Sequence, residues 1–149
     1  MTTYDAISLL RRGILALLAF GCAGLIGELV LLEHYEKINQ WAPLVLLTLT
    51  LATILWHWID GKRASLRGLQ VVMLLLIATG ALGVYFHFTG NIEATKEFEP
   101  DFAGMEFWVD VIRGEAPTLA PGTLLQFGLL GLLYAYRHPA LATTSSTGN

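Results

Sequence analysis

The residue of this chain best placed to do chemistry is a carboxylate inside an apolar run. Glu28 lies within Gly13–Leu32, four residues before its end. At about 1.5 Å per helical residue, that is about 6 Å short of the end. In a bilayer a carboxylate costs on the order of 2–3 kcal/mol at mid-membrane and less toward the edge. Protonation, pairing or a bound cation relieves that cost. Gly21 and Gly24 share its helix face, which points Glu28 toward neighbouring helices. Antiparallel packing of the other apolar runs brings His87, Gln126 and Glu93 to similar depth, with Tyr35 two turns above Glu28. Glu28, His87, Gln126, Glu93 and Tyr35 are therefore a candidate outer polar site for a proton, a cation or a quinone. The plainer reading is that Glu28 bonds a neighbouring helix or reaches to the surface.

The four histidines add less. His34 lies six residues from Glu28, about 600° around a helix and so about 120° away from it. One metal held by both requires a helix break after Leu32. His34, His87 and Glu93 are the candidate ligands for a divalent metal, since hard cations take carboxylates and softer ones add imidazole. Thr50, Thr53, His57 and Asp60 follow at spacings of three, four and three, a polar stripe on one half of the second apolar run. Threonines and a histidine so placed bond backbone or neighbouring helices, or else touch a haem or a quinone. His57 and His87 sit about a membrane apart, so one haem b cannot use both. Only the pairs His34/His87 and His57/His138 can, both near interfaces. No cofactor is the simplest expectation, ahead of a divalent metal, a quinone or haem b.

A complete catalytic set is missing. There is no phosphate-binding glycine loop, no HExxH and no DxDxDG. Ser8, Ser65, Ser145 and Ser146 stand outside any nucleophile motif. The single cysteine, Cys22, excludes an internal disulfide and a CxxC pair. It reads as a small packing residue. No basic patch with interleaved aromatics suggests nucleic acid.

Four apolar stretches must position these residues: Gly13–Leu32, Trp41–Trp58, Leu69–Phe88 and Leu119–Tyr136. Each approaches the roughly 20 residues, range about 17–25, that a membrane helix needs. Hydrophobic residues make up 54% of the chain and charged residues 14%, against roughly 25% charged in a soluble domain. The expected fold is all-α: one integral membrane four-helix bundle over residues 1–149, a single domain. Arg11-Arg12 before the first run resembles a signal peptide, but the run exceeds the usual h-region of about 7–15 residues and no small-x-small site follows. It reads as a retained helix.

Four crossings put both termini on one side. That side holds Arg11, Arg12, Lys62, Arg63, Arg67 and Arg137; the other holds Lys37, Lys96 and Arg113. The positive-inside rule makes the termini cytoplasmic. The outer segments carry nine of the twelve acids. Trp41 marks the outer interface of the second helix, and Trp56 and Trp58 its inner one.

Ala16, Ala19, Ala23 and Gly27 form a small-residue stripe on helix one, widened by Gly21 and Gly24. Such residues let helix backbones approach closely in lipid. Helix one is expected to follow a short lead, Met1–Leu10, and to run on through Glu33–Glu36. Gly90-Asn91 is expected to stop helix three. In the outer loop, Phe102, Met105, Val109 and Ile112 recur at helical spacing. That predicts a short amphipathic helix on the outer membrane surface, with Phe107 and Trp108 as headgroup anchors. The tail 143–149 is Ser/Thr-rich and expected to be disordered.

In size and span count the chain resembles the small four-helix proteins of bacterial inner membranes, a likeness of architecture only. The leading expectation is a non-enzymatic accessory or assembly component of a membrane complex. Its partners would be the lipid bilayer and other membrane subunits or a second copy, with the outer loop as docking surface. The alternative is a ligand-bearing protein handling quinone, redox, metal, protons or ions at the outer polar site.

Overall fold

The computed structural model describes residues 2–98, 103–114 and 117–142. Phe102 and the tail 143–149 lie outside them. Among the described residues the protein is all helical. Five helices follow in order: α1 Thr3–Leu31, α2 Trp41–Asp60, α3 Arg63–Phe98, α4 Met105–Arg113 and α5 Gly122–Ala135. Short 3₁₀ turns cover Ile38–Gln40 and Pro139–Leu141.

Among the described residues three helices are long and apolar enough by themselves to cross a membrane, and α5 is a shorter apolar helix. Its 14 residues extend about 21 Å, against about 30 Å of hydrocarbon. Leu119–Pro121, counted above as the start of a fourth span, form the turn that leads into α5. Beyond Ala135, Tyr136 is extended and Arg137 takes a left-handed φ of 47°.

Helix boundaries move for identifiable reasons. α1 starts ten residues before the apolar run, because Thr2 and Asp5 form a capping box. The Asp5 N–H donates to Thr2 Oγ1 at 3.3 Å and the Thr2 N–H to Asp5 Oδ2 at 2.9 Å, satisfying two donors at the helix start. α1 does not continue through Glu33–Glu36. It ends at Leu31, with Glu33 left-handed at φ 53°. The Glu33 N–H bonds the Val30 carbonyl and the His34 N–H the Leu29 carbonyl, the pattern of a Schellman turn. α2 stops at Gly61, φ 59°, whose N–H returns to the His57 carbonyl at 2.8 Å.

Gly90-Asn91 does not stop α3, which runs unbroken for 36 residues. Asn91 is 5% exposed. Its amide reaches sideways, donating to the Val111 carbonyl at 2.9 Å and Thr118 Oγ1 at 3.1 Å. A side chain satisfied by tertiary bonds no longer competes with its own helix.

α3 packs on α2 and α5, and α1 closes the circuit by packing on the same two helices. The core is built from Leu18 and Cys22 of α1, Leu47 and Ile54 of α2, Leu69, Met73 and Leu76 of α3, and Leu124 and Tyr134 of α5. The closest approach is between α3 and α5. A Cβ on Gly80 would stand 2.7 Å from the Leu125 nitrogen, and one on Gly128 2.6 Å from the Met73 carbonyl oxygen. On α1 only Gly21 is similarly used, against Phe127; Gly13, Gly24 and Gly27 have no neighbouring atom within 4 Å.

α4 packs on α3. Phe107 and Val111 are its buried residues, so Phe107 turns toward α3 and not outward. Met105, Val109 and Ile112 remain exposed. Trp108 stacks on Phe88, centroids 6.2 Å apart with the planes 7° from parallel. Two ends are thus defined: a turn end around Asp60–Lys62, and an α4 end around Asn91 and α4.

Candidate functional site

The turn end gathers polar side chains from four segments. The tight turn at Gly61 folds the start of α3 back against the last turn of α2. This brings Ser65, fully buried, beside His57, 4% exposed. Ser65 Oγ donates to Asp60 Oδ1 at 2.5 Å and lies 2.9 Å from His57 Nδ1. The Lys62 carbonyl is also within 2.9 Å of it, and the Lys62 N–H donates to Asp60 Oδ1 at 2.9 Å. A serine hydroxyl has one proton. With that hydrogen bond directed at the carboxylate, Ser65 accepts from His57, which holds its own proton on Nδ1.

The other side of His57 meets the end of α5 and the chain that follows it. Its ring centroid is 5.8 Å from Tyr134 and 5.3 Å from His138, both edge-on. His138 Nδ1 accepts the Ala140 N–H at 3.2 Å, capping the turn Pro139–Leu141. From α1, Arg11 Nη2 donates to the Tyr136 and Arg137 carbonyls at 3.2 and 2.9 Å. Burial first, then His57 and Arg11, hold the His138 imidazole below its ordinary value of 6.5.

The order of these groups decides the chemistry. In a hydrolase triad the imidazole stands between the acid and the hydroxyl. Here the hydroxyl stands between the acid and the imidazole, and donates its hydrogen bond to Asp60. Ser65 is a hydrogen-bonded bridge and not an activated nucleophile. The rest of the inner stripe is consumed locally: Thr50 Oγ1 donates to the Leu46 carbonyl at 2.8 Å and Thr53 Oγ1 to the Thr50 carbonyl at 3.0 Å.

The α4 end brings fewer residues together. Glu28, Glu93 and Gln126 are exposed. Glu28 faces outward because α1 turns Leu18 and Cys22 to the core, with Leu25 and Leu29 packed beside them, and residue 28 lies about 100° from residue 29. Tyr35 is exposed beside Trp41, ring centroids 6.4 Å apart. His87 is half-buried, its Nδ1 bonded to the Pro117 carbonyl at 3.0 Å. His34 comes close enough to feel it: partial burial first, then His87, keeps the His34 imidazole below its ordinary value. Among the described residues no group of three or more His, Cys, Asp or Glu side chains is arranged to hold a metal ion. A shallow, open depression on α4 is lined by Met105, Glu106, Val109 and Asp110.

Sequence reasoning passed over Ser65, Tyr134, Arg11, Asn91 and Thr118. The available signal for Ser65 was a small polar residue one turn into a helix that follows Asp60-Gly61. Comparison with known protein families, with curated proteins and with solved structures finds no match to this chain.

Proposed function

We propose that this chain is a small polytopic membrane protein without a catalytic centre, an accessory or assembly component of a larger membrane complex. One observation carries the reading. Only 11% of the apolar window of α1 is buried by the rest of the chain. On its uncovered side Ala16, Ala23, Gly24 and Gly27 lie open. Lipid contact does not require small residues; close approach of another helix does. The buried hydroxyls Thr50, Ser65 and Thr118 all have hydrogen-bond partners, as structural polar groups do.

In this reading α1, α2, α3 and α5 form the four-helix membrane bundle, in the inner membrane of a bacterium. The basic side holds both termini in the cytoplasm, and α4 lies on the outer surface with its exposed apolar face toward lipid. The test is native mass spectrometry of the protein extracted from its own membrane in mild detergent. The natural chain is expected to carry further subunits, and Gly24→Leu with Gly27→Leu to lose them at unchanged helical content. A lone natural chain, or a variant that assembles equally well, overturns the proposal.

A second reading rests on Glu28, a carboxylate within a membrane-length helix that no side chain of the described residues joins. It makes the chain a carrier of protons, metal or quinone. A non-protein mass on the natural chain that disappears in Glu28→Gln supports it, and no such mass removes it.

A further inference from the structure

The chain after α5 returns to the helices instead of leaving them. Arg11 holds the Tyr136 and Arg137 carbonyls. The turn Pro139–Leu141 packs on α3, and Ala140 and Leu141 lie against the core. His138 stands at the hinge between these two contacts. We propose that His138 is the catch of an acid-released latch: neutral, it caps the turn Pro139–Leu141 and keeps the C-terminal segment docked; protonated, it lets that segment go.

The hydrogen bond sets the direction. His138 Nδ1 accepts the Ala140 N–H, which requires an unprotonated nitrogen. In the imidazolium both nitrogens are donors, so protonation turns this cap into two N–H groups facing each other. The surrounding charges act the same way. α1 presents Arg11 and α2 presents His57, while Arg137 adjoins in the chain. α5 presents Tyr134, 5.2 Å away between ring centroids, which is neutral near pH 7. α3 presents Ser65 on the far side of His57. The nearby acid, Asp60, is already engaged by Ser65 and the Lys62 N–H. A charge on His138 therefore meets the fixed cation of Arg11, and among the described residues no free carboxylate stands beside it.

Docking keeps the imidazole below its ordinary 6.5, so the free segment binds the proton more readily than the docked one. The stabilisation of docking by the neutral imidazole is therefore fully present above about pH 6.5 and is lost as pH falls through the docked value. The limit for one proton is about tenfold per pH unit in the docked-to-free ratio.

A spin label on Ala142→Cys, in a Cys22→Ser background of the full chain in detergent micelles, reads the segment without itself titrating. Its mobile fraction is expected to rise as pH is lowered from about 7.5 to about 5.5, the range of a histidine. His138→Asn places an amide oxygen where Nδ1 stands, which caps but does not titrate. Its profile is expected to be flat and immobile, at helical content equal to the parent's. A flat profile in the parent, or a His138→Asn profile that follows the parent's, overturns the latch.

Discussion

The two ends of the molecule hold similar polar residues and use them differently. At the turn end, Asp60, Ser65, His57, Tyr134 and His138 interlock across α2, α3, α5 and the segment after it. At the α4 end, Glu28, Glu93 and Gln126 face outward, and the interior contact is made by Asn91 and Thr118. The connections explain the contrast. α2 and α3 are joined by two residues, so the helix ends cannot move apart and their polar groups must satisfy one another. α3 and α5 are joined through α4, and one buried amide ties that long connection down.

Breaking the seam common to both ends has the largest expected effect. In Gly128→Leu the new side chain meets the Met73 carbonyl, so α3 and α5 must separate. The expected loss is at the upper end of about 1–3 kcal/mol for overpacking, read as a fall in Tm in detergent. A Tm within a degree of the parent's would refute this use of Gly128.

Ser65→Ala tests the turn end alone. It removes the bridge between Asp60 and His57 and leaves a buried imidazole N–H without its acceptor. The expected cost is about 1–3 kcal/mol, measured by denaturant titration in micelles. An unaffected variant would mean that the interlock is ornamental and the contrast between the ends is false. The smallest effect belongs to the α4 end. Glu28→Gln changes an exposed group that has no side-chain partner among the described residues, so the stability of the isolated chain should stay within about 0.5 kcal/mol. A larger change would reveal an intramolecular role for Glu28.

The apolar runs of α1, α2 and α3 were legible in the sequence because length and hydropathy alone define a membrane-length helix. The limits of those helices were less so. Gly90-Asn91 is a stop signal only where the asparagine has no better partner than its own backbone, and here Val111 and Thr118, 20 and 27 residues further on, supply one. Glu28 faces away from the core because Gly24 and Gly27, on its side of α1, are not the packed face. The packed face is Leu18 and Cys22. The glycines that do seat a neighbouring helix are Gly80 and Gly128. At the turn end His57 and Asp60 were visible as a stripe. Their link through Ser65 depends on the left-handed Gly61, and His138 depends on a fold-back that no periodicity announces.

The unbroken course of α3 has a mechanical consequence. Its 36 residues make a rod of about 54 Å, longer than any hydrocarbon layer it would cross. One end is locked to α2 through Ser65, and the other carries α4 on Asn91. A helix with no break lacks a hinge, and for a rigid rod of this length a lean of about 5° about one end displaces the other by about 5 Å. The two ends are thereby coupled: a tilt imposed at the turn end is carried along α3 to α4.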